Sequence, residues 1–458
     1  MTLRAPGGSP GSASRRELLS RLGQWAASAA LSGGLSLPEV AAAAATGARA
    51  RVLIVGGGWA GLSALHTLRR HGSALEVTLV DRDRHFRCLP LSSPWLVGRA
   101  APPWAPVDLA AHVAGLGGRF VAASVRGIDR VRRRLDTDEA VLDYDWLLLA
   151  TGAEYDDRGW TGGDAAAAAQ LRQQFPAGFQ ARELEPLQQA LARFEARCPR
   201  VTDSAAAAEL LLSVPLAPYR CPPAPYERAV LLAGWIRERR LKARVTLLDA
   251  GAGLPRFTRL FQDRWPGLIE HRPYSELRRV DPWTRSAGTD EGDFRFDHAM
   301  LLPPMGAGKL YAQAGLLGVD GSGTATRWAA VDPLTLRSPH DERIWLAGDA
   351  LDRVSPLFGP YPKTAQIAAD LGAAAARQIL AAIGGLDAAL PAGDALPSSQ
   401  CHVWLSADPP EQMRLDAAYR LRGDAVPVQT LRQVDNPQPR GEDRQWLREL
   451  LQRRLGLG

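Results

Sequence analysis

The sequence predicts an α/β protein built from two Rossmann-like domains, of which only the first keeps a dinucleotide-binding turn, followed by a C-terminal interface domain. Three observations support this fold class. A strand, a glycine-rich turn and a helix start follow one another at residues 51–61, a strand, helix and strand alternate over residues 209–249, and a late strand ends in a Gly-Asp pair. Such alternation forms parallel sheets covered by helices. At 458 residues the chain is also long for one hydrophobic core.

Residues 1–46 are predicted to be an export signal of the twin-arginine type. An Arg-Arg pair within residues 14–19 precedes a weakly apolar region and then alanines that offer a cleavage site near residues 41–46. The apolar region is too short and too polar to span a membrane, and no later stretch reaches a spanning length. We therefore expect a periplasmic mature protein without an integral membrane segment. The alternative is a disordered tail with a chance Arg-Arg pair.

The first domain begins with a nucleotide-binding pattern. Gly56, Gly58 and Gly61 follow an apolar strand in G-x-G-x-x-G spacing. The first glycine permits the turn, the second permits close approach of a pyrophosphate, and the third permits helix and strand to pack. Asp81 ends the next strand, twenty residues after Gly61, where a carboxylate accepts a bond from a ribose hydroxyl. The pattern predicts a dinucleotide site.

Two further strand ends indicate which dinucleotide binds. The strand at residues 145–149 ends in Ala-Thr-Gly, with Thr151 and Gly152 as site candidates, an ending that recurs in flavoproteins with two dinucleotide domains. The late strand ends at Gly348-Asp349, and a helix begins near Lys363. In FAD-binding folds of this type the aspartate binds the ribityl chain and the helix start faces the flavin. The predicted cofactor is therefore FAD. The alternative is that Asp349 is only an acidic loop residue after a core strand.

The second domain is expected to lack a nucleotide site. Its turn, at residues 215–225, contains five prolines where pyridine-nucleotide reductases have a glycine-rich loop. Prolines have no N–H to offer a pyrophosphate, so NAD(P) binding is not expected. We place the FAD-binding domain at residues 50–155 and 291–378, the second domain at 156–290 and the C-terminal domain at 379–458.

Charge and cysteine content narrow the function classes. The net charge is +6, but basic residues are scattered among acids, so nucleic-acid binding is not expected. The four cysteines, which are Cys88, Cys198, Cys221 and Cys401, show no C-x-x-C spacing, so no metal site is predicted. In an oxidising compartment four cysteines allow three disulfide connectivities. The chain has no C-x-x-C-H motif, so any haem belongs to a partner.

The most specific motif is Arg-Cys-Pro-Pro-Ala-Pro-Tyr-Glu-Arg at residues 220–228. Together with the glycine turn, residues 302–309 and Pro-Lys-Thr at residues 362–364, it resembles the flavoprotein subunit of flavocytochrome c sulfide dehydrogenase. The resemblance covers most of the mature chain. It implies a redox-active disulfide between Cys221 and Cys401 and an acid/base role for Glu227.

The same resemblance implies an activity and a partner. Hydrosulfide would attack the disulfide, sulfide would become sulfur or polysulfide, and electrons would pass through FAD to a c-type cytochrome subunit. Cys88 is the candidate for covalent attachment of the flavin, although the Leu-Ser pair at residues 91–92 comes one residue later than the family spacing expects. The sector at residues 156–198 also differs from the family, and Cys198 matches no family position.

Three alternatives stay open at this stage. By spacing alone, Cys221 and Cys401 could form a structural staple, although the prolines around Cys221 favour a rigid loop at a ligand-binding sheet edge. A sulfide:quinone oxidoreductase would need a membrane-binding apolar element and a quinone pocket. The amphipathic helix at residues 444–455 is too short and too rich in arginine to decide whether such an element is present. A flavin electron-relay or assembly subunit without catalysis would follow if the two cysteines are structural.

Overall fold

The computed structural model describes residues 49–72, 74–102, 105–353, 358–384, 396–424 and 426–458. The predicted export signal therefore lies outside the described residues. No helix within the described ranges is long and apolar enough to cross a membrane.

The chain up to residue 149 forms most of a first parallel sheet, two helices on it and a small meander. Its elements are β1 (Ala50–Val55), α1 (Trp59–His71), β2 (Leu75–Asp81), β3 (His85–Phe86), α2 (Ser92–Leu96), β4 (Val107–Asp108), α3 (Leu109–Gly115), β5 (Arg119–Ala122), β6 (Val125–Asp129), β7 (Arg134–Thr137), β8 (Val141–Asp143) and β9 (Trp146–Leu149).

The chain from residue 154 to residue 301 forms the second domain. Its elements are β10 (Glu154–Tyr155), α4 (Ala165–Gln174), a 3₁₀ turn (Ala181–Glu183), α5 (Leu184–Arg197), β11 (Ala208–Val214), α6 (Ala224–Glu238), β12 (Ala243–Asp249), α7 (Pro255–Arg264), β13 (Ile269–Pro273), β14 (Arg279–Asp281), β15 (Ser286–Thr289), β16 (Gly292–Arg295) and β17 (His298–Leu301).

The remaining chain completes the first domain and adds a C-terminal sheet. Its elements are β18 (Met305–Gly306), α8 (Lys309–Gln313), β19 (Leu317–Val319), β20 (Ala325–Ala329), β21 (Ile344–Leu346), α9 (Ala365–Ile383), β22 (Ser399–Ala407), β23 (Pro410–Leu421), β24 (Pro427–Asn436), α10 (Glu442–Leu450) and a π-helical turn (Leu451–Leu455).

The first sheet has the order β21–β9–β1–β2–β5 and is parallel throughout. Its central strand β1 is apolar and buried on both faces, as parallel strands between helix layers are. Helix α9 crosses α1 closely because Gly372 has no side chain; a Cβ there would lie 2.9 Å from the Cα of Ala60. The carboxyl ends of β1, β2, β9 and β21 meet at one edge, where the predicted cofactor residues follow them.

The second sheet has the order β13–β12–β11–β17 and is also parallel. The predicted α/β class with a Rossmann-like FAD-binding fold is confirmed. One boundary is wrong: we expected the strand at residues 296–304 to belong to the FAD-binding domain, but β17 pairs with β11. Which sheet a buried strand joins is decided by its neighbour in space and not by its own sequence, so the chain returns to the first domain only after residue 301.

The C-terminal region, for which the sequence predicts a separate domain, contains an antiparallel sheet of the order β22–β23–β24. The predicted boundary at residue 379 is also wrong, since it falls inside α9, which runs to Ile383. Strand β22 packs against α6 of the second domain. The final helix packs on its own protein, because Leu447, Leu451 and Leu455 are buried in the same core as α1.

Candidate active site

One cavity of about 1340 Å³ lies at the carboxyl edge of the first sheet. Its lining combines the predicted nucleotide residues with the proline loop of the second domain and the start of β22. The predicted site residues that line it are Gly56, Gly58, Asp81, Thr151, Gly152, Cys221, Glu227, Gly348, Asp349, Lys363 and Cys401. The fold therefore brings residues from all three parts of the chain to one site.

The glycine turn forms the pyrophosphate end of this cavity. Gly56 has φ of +109°, and a Cβ there would lie 2.7 Å from the carbonyl carbon of Ala150. Gly61 does not line the cavity; it lies against the carbonyl of Gly56, so that helix and strand pack closely. No side chain caps α1 at Gly58, and its first-turn N–H groups are free to bind an anion. These residues fit the pyrophosphate of FAD.

Asp81 lies beside the turn, as predicted for a ribose acceptor. Its carboxylate accepts bonds from the backbone N–H of Gly57 at 2.5 Å and of Asp83 at 2.8 Å. Burial raises the pKa of Asp81, while these two bonds lower it. The carboxylate is thus oriented by backbone donors at the cavity wall.

The flavin end is built by the loops after β9 and β21. Gly152 and Gly348 have φ of +74° and +87°, which favour glycine. Thr364 caps α9 by accepting a bond from the N–H of Ile367 at 3.3 Å. Lys363 is buried and donates to the carbonyls of Asp349 at 2.8 Å and Leu351 at 3.2 Å. These two bonds hold the loop that precedes the helix start. Burial lowers the pKa of Lys363 to about 8.

Arg220 is a site residue that sequence reasoning missed. Its Nε donates to Oδ2 of Asp349 at 2.7 Å, and its Nη1 donates to the carbonyl of Phe179 at 2.7 Å. The N–H of the next residue, Cys221, donates to the carbonyl of Lys363 at 2.9 Å. The proline loop is therefore tied directly to the predicted FAD residues. The only signal was the position of Arg220 beside Cys221, since its partner is 129 residues away.

Cys221 and Cys401 both line the cavity and interact electrostatically. Burial raises the pKa of both thiols, that of Cys401 to about 11. Cys221 has φ of +51°, a strained conformation of the kind found at functional sites. Ser399 Oγ lies 3.6 Å from Cys401 Sγ. Both cysteines are free thiols in this structure, so the disulfide that the resemblance implies is not formed here and stays a prediction.

Glu227 lies on α6, where this helix packs against β22, the strand that carries Cys401. It is buried, accepts a hydrogen bond from the backbone N–H of Trp404 at 2.9 Å, and is hydrogen-bonded to the side chain of Ser93. Burial raises its pKa to about 7, and it interacts electrostatically with both cysteines. A carboxyl group with this pKa can give or take a proton at neutral pH.

The structure does not bring Cys88 to the cavity. Its neighbours Arg87 and Leu89 line the cavity, whereas Cys88 is 4% exposed and packs in the core of the first domain. In extended chain, successive side chains point to opposite sides, which explains the difference. Burial raises the pKa of this thiol far above its ordinary value. Cys198 is buried at the end of α5, also away from the cavity.

The second domain fills its own nucleotide position with protein groups. Asp249 ends β12, as Asp81 ends β2, but its carboxylate is bonded to two side chains of its own domain in addition to a backbone N–H. Oδ2 accepts from the hydroxyl of Tyr226 at 2.7 Å and lies 3.0 Å from Nε2 of His271, and Oδ1 accepts from the N–H of Gly251 at 2.9 Å. The proline pattern did not reveal this network. Elsewhere, no group of three or more His, Cys, Asp or Glu in the described ranges could hold a metal ion.

Two family models match the chain in agreement with this geometry. The model of pyridine nucleotide-disulphide oxidoreductase matches residues 50–174, and that of the central region of the sulfide dehydrogenase [flavocytochrome c] flavoprotein chain matches residues 200–303. These two matches, over residues 50–174 and 200–303, support the FAD oxidoreductase superfamily. The second match covers the proline loop and Glu227.

Known proteins of this superfamily resemble the chain in fold and, locally, in sequence. The structure of sulfide:quinone oxidoreductase from the hyperthermophilic bacterium Aquifex aeolicus has a TM-score of 0.69 and 16% identity, over 89% of this chain and 92% of that one. An NAD-dependent persulfide reductase from A. fulgidus has a TM-score of 0.56 and 16% identity, over 88% and 77%. A type II NADH:quinone oxidoreductase of Staphylococcus saprophyticus is 32% identical over 121 residues, which is 25% of this chain and 29% of that protein. The chain thus matches less than a third of this curated relative's length.

Proposed function

We propose that this protein is a periplasmic FAD-dependent sulfide dehydrogenase that passes its electrons to a c-type cytochrome subunit. The observation that carries the proposal is the meeting of Cys221, Cys401 and Glu227 in the cavity that the glycine turn also lines. A thiol pair beside a flavin site is suited to exchange sulfur atoms on one side and electrons on the other. The family match at residues 200–303 supports a sulfur substrate.

In the proposed reaction Cys221 and Cys401 are joined in the oxidised enzyme. Hydrosulfide attacks one sulfur of this bond; a new S–S bond forms to that cysteine as a persulfide, and the other cysteine leaves as a thiolate with the electron pair. Bound FAD supplies the two-electron acceptor for this chemistry. Glu227, with a pKa of about 7, takes the proton of the sulfur that has been transferred.

The protein groups around the cysteines keep this chemistry in place. Arg220 and the backbone bond from Cys221 to Lys363 hold the proline loop against the flavin end of the cavity. Trp404 orients Glu227 through its N–H, and β22 places Cys401 opposite the loop. Since loop and strand come from different parts of the fold, the geometry depends on packing of α6 against β22.

A second candidate is a sulfide:quinone oxidoreductase. The fold likeness to the Aquifex aeolicus enzyme over 89% of this chain favours it. The two candidates share the chemistry at the cysteines and differ in the electron acceptor. An electron-relay or assembly subunit would instead need no reaction at the cysteines.

The cysteine chemistry is tested by mixing sulfide with the oxidised holoprotein and following flavin absorbance. We expect rapid bleaching in the wild type and a loss of roughly 10³-fold or more in rate for Cys221→Ser and Cys401→Ser, with FAD retained. Cys198→Ser is the matched control, since it removes a buried thiol outside the cavity. Equal rates in all four proteins would reject a catalytic pair and leave the two cysteines as structural residues.

A further inference from the structure

Arg228 is a buried cation in the wall of the cavity. Arg228 is the residue after Glu227 on α6. It lines the cavity beside Cys221 and is only 4% exposed. Neither the family motif nor the sequence pattern assigned it a role. Burying a charge costs several kcal/mol unless a partner compensates it, so the environment of this guanidinium is informative.

The guanidinium bonds only to neutral groups among the described residues. Nη1 donates to the carbonyl of Ala177 at 2.8 Å, Nη2 donates to the carbonyl of Gly178 at 2.5 Å, and the guanidinium lies 4.1 Å from the centre of the Phe179 ring. Its Nε has no hydrogen-bond partner in the described part of the chain. One edge of the cation is therefore left without an acceptor.

The acids near Arg228 are bound elsewhere. Glu183 accepts bonds from Tyr155 and from three backbone N–H groups at residues 178–180, and Glu227 accepts from Trp404. Cys221 and Tyr155 are the other titratable groups that face the guanidinium. By contrast, Arg220 is paired with Asp349, and Lys363 donates to two carbonyls. Arg228, like Lys363, therefore has no bonded carboxylate, and in addition its Nε has no acceptor within the described ranges.

We propose that Arg228 forms an anion subsite that binds hydrosulfide, or the anionic end of a persulfide, beside Cys221. The inference rests on the proposed function and adds the charge that recognises its substrate. An anion in the cavity beside Cys221 would be attracted by the buried positive charge of Arg228, and such an attraction is strong where water is excluded. Substrate would therefore bind as an anion at the cysteine pair.

The binding step is tested without turnover, by titrating the oxidised holoprotein with thiocyanate and recording the flavin difference spectrum. Thiocyanate is a small sulfur-containing anion that brings no electrons to the flavin. We expect a saturable change in the wild type and in Arg228→Lys, and binding weakened by about 10-fold or more in Arg228→Gln. Arg182→Gln is the matched control, because Arg182 lines the same cavity but is exposed.

The variants also separate charge from structure. If Arg228 only braces residues 177–179, lysine and glutamine will both lower the thermal midpoint and will change thiocyanate binding alike, and the subsite is rejected. With sulfide, loss of charge should raise the half-saturating concentration for flavin bleaching about 10-fold and alter the limiting rate less. Failure of the wild type to react with sulfide would reject the proposed function, whereas loss of thiocyanate binding only in Arg228→Gln would still support the subsite.

Discussion

Burial dominates the electrostatics of the individual site residues. Glu227 is buried and the two cysteines are partly buried, and desolvation is the largest influence on the pKa of each of the three. Desolvation disfavours the charged form, so both thiols resist ionisation while Glu227 titrates near neutral pH. Ionisation of Cys221 or Cys401 would be favoured by a nearby cation and a nearby base, which Arg228 and Glu227 can provide.

The raised pKa of Glu227 predicts a pH-dependent change in stability. The pKa is about 7 in the folded protein against an ordinary 4.5. Such a carboxyl group favours the native state below pH 4.5 and loses this contribution as the pH rises to 7. Glu227→Gln should therefore gain stability relative to wild type between pH 5 and pH 8, by up to about 3 kcal/mol. Sulfide-dependent turnover of the variant should fall near neutral pH.

Thermal unfolding of both holoproteins at pH 5, 6, 7 and 8 checks this prediction. The difference between the two midpoints should grow with pH, and the same bond from Trp404 should persist because glutamine keeps an acceptor oxygen. A difference that stays constant over this range would show that Glu227 is not a neutral-pH acid in the folded protein.

At the level of elements, the loop between β11 and α6 supports Cys221 and does not form a nucleotide turn. Prolines remove its N–H donors, Arg220 and Cys221 tie it to the first domain, and Asp249 behind it bonds to Tyr226 and His271. We expect no binding of a second dinucleotide at this position.

Reduction by pyridine nucleotides tests the role of this loop. The flavin spectrum of the holoprotein should stay unchanged on anaerobic mixing with NADH or NADPH, while sulfide bleaches it in the same apparatus. Fast bleaching by either nucleotide would contradict the argument from the prolines and Asp249, and would align this chain with the NADH-oxidising relatives in activity.

At the level of the whole molecule, the electron acceptor distinguishes the sulfide dehydrogenase from the sulfide:quinone oxidoreductase. The sequence contains no haem-attachment motif, and none of the helices in the described ranges could span a membrane. A soluble one-electron carrier docked on the protein is the acceptor that the family resemblance implies. If residues 1–46 direct export, as the sequence predicts, the protein would meet such a carrier in the periplasm.

We therefore expect the protein to copurify with a c-type cytochrome from its natural source. Sulfide-dependent reduction of that cytochrome should exceed reduction of a ubiquinone analogue by about 10-fold or more, since a docked partner raises the effective concentration of acceptor. Binding of the purified chain to liposomes together with faster quinone reduction would favour the quinone oxidoreductase instead.

The sequence alone determined the features that depend on neighbouring residues. The glycine turn, the acid at the end of β2, the apolar parallel strands and the proline loop follow from backbone sterics and side-chain periodicity, which act over a few residues. For this reason the fold class and most of the nucleotide end of the cavity could be predicted. That Cys221 and Cys401 act together was predicted through the family resemblance, since their spacing alone also allowed a structural disulfide.

Tertiary structure decided the features that depend on distant residues meeting. The ion pair of Arg220 with Asp349, the core-facing side chain of Cys88, the pairing of β17 with β11 and the sheet that carries Cys401 have no local signature. The pKa of Glu227 and the unpaired edge of Arg228 depend likewise on burial, which exists only once α6 packs against β22. Packing, and with it the local dielectric, is a property of the folded chain and cannot be found in a short stretch of sequence.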